Sequence, residues 1–308
     1  MTPFFQLDPR IESASAAALQ QVAPRFTEID EITEYNQLKV LRAFMDNGIS
    51  ERHFGSSTGY GYGDEGRETL DKVWAQVFGA EDALVRHNFT CGTHTLAVAL
   101  FGVLRPGDKM LCVSGMPYDT LHSVIGLTGE NMGSLKDYGI AFDCVPLKEE
   151  HLDYEAIAKA VDDTVTMVYI QRSRGYELRA SLSLEETQKV AEIAKEKNPN
   201  CIVMVDNCYC EFVNKQEPTQ VGADLIAGSL IKNAGGGMAR TGGYIAGHHD
   251  LVEKCAFRLT TPGLGREVGA TLGMNRELYM GLFYAPHTVG EALKSAVYIA
   301  ALYQSFGY

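Results

Sequence analysis

The 308-residue sequence is bounded first by what it lacks. No stretch approaches the roughly eighteen uninterrupted apolar residues that a spanning helix needs, so no membrane is expected as a partner. The start, Met1-Thr2-Pro3-Phe4-Phe5, has neither a basic cluster nor a long apolar run, and no targeting segment is read there. Positive charge is in deficit: 39 acidic residues stand against 27 Lys and Arg, a net charge of −12 that argues against nucleic acid or an anionic surface as the main partner. The seven cysteines form no zinc-type pair, and Cys208-Tyr209-Cys210 is too tightly spaced for one, so no metal centre is expected. Their odd number points to free thiols in a reducing cytoplasm. Internal repeats and low-complexity segments are absent. No G-x-G-x-x-G opens a helix after an early strand, since Gly59 to Gly63 follow a loop, which sets a dinucleotide-binding fold aside.

What is present reads as an alternating chain. Two helices are expected near the N-terminus, about Arg10 to Phe26 and about Glu34 to Asp46, from apolar residues at three- and four-residue spacing. A loop with two tyrosines among glycines, Gly59-Tyr60-Gly61-Tyr62-Gly63, follows them. Tyr60 and Tyr62 are candidates to face a substrate or cofactor; a surface connection is the plain alternative. After an amphipathic helix over Gly66 to Phe78, strands are expected at Ala83–Phe89, Lys109–Val113, Ile140–Val145, Val165–Ile170 and Ile202–Val205, interleaved with helices. A short glycine-bounded strand at Gly242–Gly247 and a terminal helix over Val289–Phe306 complete the reading. Strands alternating with helices predict an α/β fold, a mostly parallel sheet covered on both faces.

Ligands on such sheets collect beyond the carboxyl ends of the strands. Thr90-Cys91-Gly92-Thr93, Tyr118, Gln171 to Tyr176, Asp206 and Lys232 all fall just past expected strand ends or in the turns that follow. The run Val203-Met204-Val205-Asp206 delivers an acid at the end of an apolar strand. Ala223 to Ile231 then delivers Lys232 into a glycine-rich bend, Gly235-Gly236-Gly237. A charge at the end of a buried strand is either paired or functional. Two readings stay open from these residues alone: a structural salt bridge at a sheet edge, or a pyridoxal phosphate site in which Lys232 carries the cofactor and Asp206 faces its ring nitrogen. Thr90 to Thr93 likewise suit either a plain helix cap or a phosphate-binding turn. Cys91 and Cys208 read as small packing residues.

Taken together, the motifs resemble the fold-type I pyridoxal phosphate enzymes, and within them the cystathionine and methionine lyase branch. Val205-Asp206-Asn207-Cys208 is similar to that branch's strand-end "VDN" motif, and Ser229-Leu230-Ile231-Lys232 to its "S-x-T-K" motif. Tyr60 to Asp64, Gln171 to Tyr176, Thr261 to Gly265 and Gly281 to His287 resemble more narrowly the methionine gamma-lyase-related, or aluminium-resistance, proteins.

The resemblance implies a seven-stranded-type sheet and pyridoxal 5'-phosphate as cofactor. Lys232 and Asp206 then take the roles given above, Gly92, Thr93 and Ser229 hold the phosphate, and Tyr118 stacks on the ring and serves the catalytic chemistry. A carbon–sulfur lyase acting by β- or γ-elimination on a sulfur-containing amino acid follows. The same fold and residue pair also serve aminotransferases and aldolases, and an inactive cofactor-binding remnant is the third alternative. A homodimer or homotetramer is implied.

Departures are evident too. Ile231 replaces a threonine, and Arg172-Ser173-Arg174-Gly175 replaces an "S-N-P" turn. The expected organisation is a helical arm over 1–55, a cofactor-binding domain over 56–286, and over 287–308 the start of a C-terminal domain that the chain does not complete.

Overall fold

The computed structural model describes residues 4–308; Met1, Thr2 and Pro3, part of the stretch read above for a targeting signal, lie outside the described residues. Seven strands form one sheet: β1 (Asp82–Arg86), β2 (Lys109–Cys112), β3 (Ala141–Cys144), β4 (Met167–Gln171), β5 (Ile202–Asp206), β6 (Leu225–Ser229) and β7 (Gly243–Gly247). Their spatial order is β1-β7-β6-β5-β4-β2-β3. The run from β6 to β3 is parallel, while β7 pairs antiparallel with both β1 and β6. The helices are α1 (Pro9–Asp46), α2 (Glu65–Phe78), α3 (Gly92–Val103), α4 (Asp119–Ile125), α5 (Tyr154–Ala160), α6 (Leu184–Lys197), α7 (His249–Leu259) and α8 (Asn275–Gln304). None among the described residues is long and apolar enough to cross a membrane.

The inner strands are apolar on both faces, as a sheet buried between helix layers requires. Alternate residues divide the core in two. Val203, Val205, Ile226 and Tyr244 pack with α2, α6 and α8 through Trp74, Val190 and Leu282. Met204, Leu225, Ala227 and Ile245 face the other way, against Leu96 and Leu100 of α3 and Val252 of α7. This two-residue period decides which strand-end side chains share a face. Asp206 follows the parity of Met204, and Ser229 that of Ala227, so both point to the α3 side.

The N-terminal region departs from expectation. It is one helix of 38 residues, not two, running straight through Pro24 and the charged stretch after it. Proline in a helix interior forfeits one hydrogen bond, a cost met here by packing along α8. Ile29 is buried, Ser15 and Tyr298 share a hydroxyl hydrogen bond of 2.7 Å, and Lys294 reaches Asp30 at 2.7 Å. The terminal helix is likewise longer than predicted, beginning at Asn275, so that the expected boundary at residue 286 falls within α8. Gly281 lets α8 lie against the glycine bend after Lys232: a Cβ there would stand 2.6 Å from the carbonyl oxygen of Gly235. Thr288 also donates to the carbonyl of Gly236 at 3.2 Å.

On the face opposite α3, a layer of buried polar groups lies just past the strand ends. Tyr244 donates to Glu211 at 2.9 Å, and Asn207 donates to Glu217 at 3.0 Å while Arg172 donates to Asn207 at 2.9 Å. Glu211 and Glu217 are both fully buried. Burial pushes the Glu211 carboxyl up to about 8 from an ordinary 4.5, with Glu217 and Asp206 adding to the rise and the Tyr244 hydroxyl opposing it. Between those two values the folded chain keeps a proton that the unfolded chain releases. Stability therefore falls as pH rises through that window, by up to about 1.4 kcal/mol per pH unit for one proton. Glu217, raised by burial in the same direction, adds to the slope. Thermal melts from pH 6 to 8.5 are expected to show a shallower loss of Tm in Glu211→Gln than in the unsubstituted protein; parallel slopes would contradict the assignment.

Candidate active site

Asp206 ends β5, aligned with Gln171 on β4 and Ala227 on β6. Its carboxylate is buried and accepts the backbone N–H of Cys208 at 3.0 Å. Burial pushes the carboxyl above its ordinary value; the Cys208 amide and thiol and the Lys232 charge oppose that rise. Lys232 lies three residues past β6, at the start of the bend that α8 braces. Burial pulls its ammonium group down, and the acidic groups around it, Cys208, Tyr209, Asp206 and Glu211, outweigh this and leave it raised. Its Nζ sits 4.3 Å from the centre of the Tyr209 ring, a cation–π contact.

The salt-bridge reading does not survive this geometry. Among the described residues Asp206 and Lys232 form no ion pair with each other or with any other side chain, and β5 and β6 are interior strands, not a sheet edge. Two oppositely charged groups therefore face one space without closing on each other. That space is a cavity of about 500 Å³ at the carboxyl ends of the parallel strands. Such a position is where ligands bind in open α/β sheets.

The turn before α3 forms another wall. Cys91 caps the helix in an extended conformation, its Sγ accepting the His94 N–H at 3.4 Å. The first-turn N–H groups of Gly92 and Thr93 have no helical partner and carry the positive end of the helix dipole. A Cβ at Gly92 would stand 3.4 Å from Ser229 Cβ, 3.6 Å from Cys208 Sγ and 3.8 Å from Lys232 Nζ. Gly92, Ser229, Cys208 and Lys232 thus meet at one point. The Ser229 hydroxyl is fully buried beside them with no hydrogen-bond partner. An orphaned buried hydroxyl is costly unless a ligand completes it. The Thr93 hydroxyl is already engaged, at 2.7 Å from that of Thr120.

Tyr118 stands at the mouth, its N–H donating to Gln171 Oε1 at 2.6 Å. Its ring lies 5.5 Å from that of Tyr176, and the Tyr176 hydroxyl beside it pushes the Tyr118 phenol up to about 12. At neutral pH it is a proton donor, not a base.

The structure brings Gly92, Thr93, Tyr118, Asp206 and Lys232 to one cavity, with Ser229 beneath it. Tyr60 and Tyr62 do not line it. Their rings lie tilted against each other with centroids 5.8 Å apart, both exposed, and their loop is held elsewhere. Buried Arg67 ties it down by donating to the carbonyls of Gly61 at 2.8 Å and Gly269 at 2.6 Å. The substrate-facing role expected of these two tyrosines is thus not met within one chain.

Tyr176, within the stretch Gln171 to Tyr176 expected at the strand ends, lines the wall, and so does Tyr209, which sequence reasoning did not single out. Tyr209 takes a φ of +68°, rare for a residue with a side chain, which turns its ring under the lysine. Its one sequence signal is its place two residues after Asn207.

The sequence model of the family described as methionine gamma-lyase matches residues 11–308. The uncharacterized protein YnbB of Bacillus subtilis (strain 168) is 49% identical over 283 residues, which make up 91% of this chain and 67% of YnbB. The L-methionine gamma-lyase of Pseudomonas putida is 25% identical over 221 residues, 71% of this chain and 49% of its own length. The chain thus spans about half the length of that enzyme. A carbon-sulfur lyase involved in aluminum resistance from Clostridium novyi NT superposes with a TM-score of 0.94 at 50% identity, over 97% of this chain and 72% of the other. The architecture is that of the fold-type I pyridoxal phosphate enzymes. With the match running from α1 to the last residue and a half-identical neighbour sharing the whole sheet, the chain belongs to the methionine gamma-lyase family.

Proposed function

We propose that this protein is a pyridoxal phosphate-dependent carbon–sulfur lyase that eliminates a thiol from a sulfur-containing amino acid, giving ammonia and a 2-oxo acid. The observation that carries the proposal is the arrangement around Ser229. A buried hydroxyl without a partner, the free N–H groups of Gly92 and Thr93, and an unpaired acid and amine all converge on one cavity. Each matches one part of the cofactor. The hydroxyl and the α3 N–H groups suit a phosphate, Lys232 suits the aldehyde carbon, and buried Asp206 suits a cationic ring nitrogen.

When bound, the cofactor supplies an electron sink for a substrate carbanion. The protein's residues supply the rest. Asp206, costly to ionise in its buried setting, would favour a proton on a ring nitrogen held beside it. Lys232, the residue that would hold the cofactor, would be placed to take a proton from Cα and return it. Tyr118, protonated at neutral pH, is placed to stack on the ring and to donate to a leaving thiolate. Cys208 fills the floor beside Lys232 and donates toward Asp206; burial pushes its thiol well above 9, so it remains neutral and is no nucleophile. The exposed tyrosine pair at Tyr60 and Tyr62, together with the exposed Leu38, Leu41 and Met45 of α1, suits a homo-oligomer in which that loop serves a neighbouring copy.

Purified protein incubated with pyridoxal phosphate and a panel of sulfur amino acids is expected to release thiol and 2-oxo acid in equal amounts. Transfer of the amino group to an added 2-oxo acid, without thiol, would overturn the lyase assignment in favour of an aminotransferase. Lys232→Ala is expected to remove the visible absorption band of the loaded protein, and an unchanged spectrum would contradict its role. Asp206→Ala is expected to keep some cofactor but lose on the order of 10²-fold or more in turnover; a near-normal rate would remove it from the site. Ser229→Ala is expected to weaken cofactor affinity roughly tenfold, the loss of one hydrogen bond to a charged group, as read by dialysis against dilute pyridoxal phosphate.

A further inference from the structure

Of the seven cysteines, two lie on strands, and they lie side by side. Cys112 ends β2 and Cys144 ends β3, paired in the parallel register that begins at Lys109 and Ala141. The ladder continues past them, with Val145 N–H donating to the Cys112 carbonyl at 2.8 Å, so the two residues are held level. Both side chains fall on the α3 side of the sheet, Cys112 within the core there and Cys144 packed against it. Neighbouring strands run about 4.8 Å apart, and Cα atoms joined by a disulfide stand roughly 4.4–6.8 Å apart. The sheet itself holds this pair at bridging distance.

The two thiols differ in their surroundings. Cys112 is fully buried, whereas Cys144 is half-buried on β3, the edge strand of the sheet. The Cys112 thiol has two acceptors in reach, the Gly115 carbonyl at 3.0 Å and the Cys144 sulfur. A hydrogen bond from Cys112 holds the Cys144 thiol below its ordinary range, against the opposing effects of burial, Asp143 and Glu177. The same contact, together with burial, pushes the Cys112 thiol up. An attacking thiol thus stands at the rim with a protonated one behind it.

The contacts of Cys112 lead to the cavity. Gly115, at φ +80°, opens the turn Gly115-Met116-Pro117-Tyr118, and the Cys112 thiol ties down its carbonyl. Ser114 accepts from the Gln171 N–H at 2.8 Å, and Gln171 in turn accepts from the Tyr118 N–H at 2.6 Å. The S–H that a disulfide consumes is therefore a tie on the turn that delivers Tyr118 to the cavity wall.

We infer that Cys112 and Cys144 form a reversible oxidation site: a peroxide joins them, and the new bond releases the turn that carries Tyr118. The Cys144 thiolate attacks one peroxide oxygen. The O–O bond breaks, and the hydroxide leaves as water with the proton the thiol gave up. Cys112 then attacks the sulfenic sulfur, the S–O bond breaks, and the Cys112 proton leaves with that oxygen as a second water. Two thiols become one disulfide while hydrogen peroxide is reduced to two waters, and a thiol reductant reverses the change. With the Cys112 proton gone, the Gly115 carbonyl loses its donor. The step depends on nothing bound in the cavity.

The unsubstituted protein, reduced, treated with hydrogen peroxide, quenched with an alkylating agent and digested without reductant, provides the test. The expected result is a loss of two free thiols and one dominant cross-link between the Cys112 and Cys144 peptides, both reversed by dithiothreitol. Hydrogen exchange at the Tyr118 amide is expected to run roughly fivefold faster in the oxidised form, the effect of about one lost hydrogen bond. Cys144→Ser, with a thermal melt to confirm folding, is expected to gain neither the cross-link nor the faster exchange. Cys112→Ser is expected instead to leave a sulfenic acid on Cys144 that dimedone traps. Absence of the cross-link, a dominant bond through other cysteines or between chains, or dimedone capture chiefly at another cysteine would each overturn the site. A cross-link with unchanged exchange would overturn its hold on Tyr118. Should Cys112→Ser fail to fold, the mapped bond and Cys144→Ser decide alone.

Discussion

A buried carboxylate and a half-buried amine, held at neighbouring strand ends and not allowed to neutralise each other, are the constraint on which the rest of this molecule depends. Removing either charge from water is expensive. The ordinary remedy is a salt bridge, and here it is withheld. The parallel register of β4, β5 and β6 sets Asp206 level with Gln171 and Ala227, while the bend after β6 carries Lys232 over the Tyr209 ring. Small compensations keep the arrangement standing: the amide and thiol of Cys208 for Asp206, one aromatic face for Lys232. Neither completes the group it serves, and a ligand that brings a cation to one and an electrophilic carbon to the other does.

Around that centre the fold divides its labour by face. The α3 side of the sheet carries the groups left open, Ser229 and the first amides of α3. The opposite side carries groups that are closed on each other, with Arg172, Asn207, Glu217, Glu211 and Tyr244 joined in a buried hydrogen-bonded layer. This second layer lies directly behind the strand ends and fixes the turn from Asn207 to Phe212. The bend at Lys232 is fixed from behind by α8, which is itself steadied along its length by α1. The two long helices, remote from the cavity in sequence, set the position of the lysine.

Much of this was legible in the amino-acid sequence, because it rests on local signals. Apolar runs ending in Asp206 and Lys232, and a small polar turn before Leu96, mark strand ends by composition alone, and alternation of strands with helices implies the sheet. What was not legible depends on distant packing. The charged stretch after Pro24 has the composition of a linker and becomes helix because α8 lies alongside, burying Ile29. The stretch before Val289 is helical because Leu278, Tyr279 and Leu282 pack into the core. Glu211 sits in an apolar run that gives no hint of a partner, and only the fold brings Tyr244 to it. Tyr60 and Tyr62 drew attention by composition, yet Arg67, far from obvious as a loop anchor, draws them away.

The central claim is that Lys232 is the amine that meets the cofactor's aldehyde. Treating the pyridoxal phosphate-loaded protein with borohydride and mapping the modified peptides tests it directly. The account predicts a single dominant reduced phosphopyridoxyl adduct on the peptide containing Lys232. A dominant adduct on another lysine, or an even scatter over surface lysines, would contradict it.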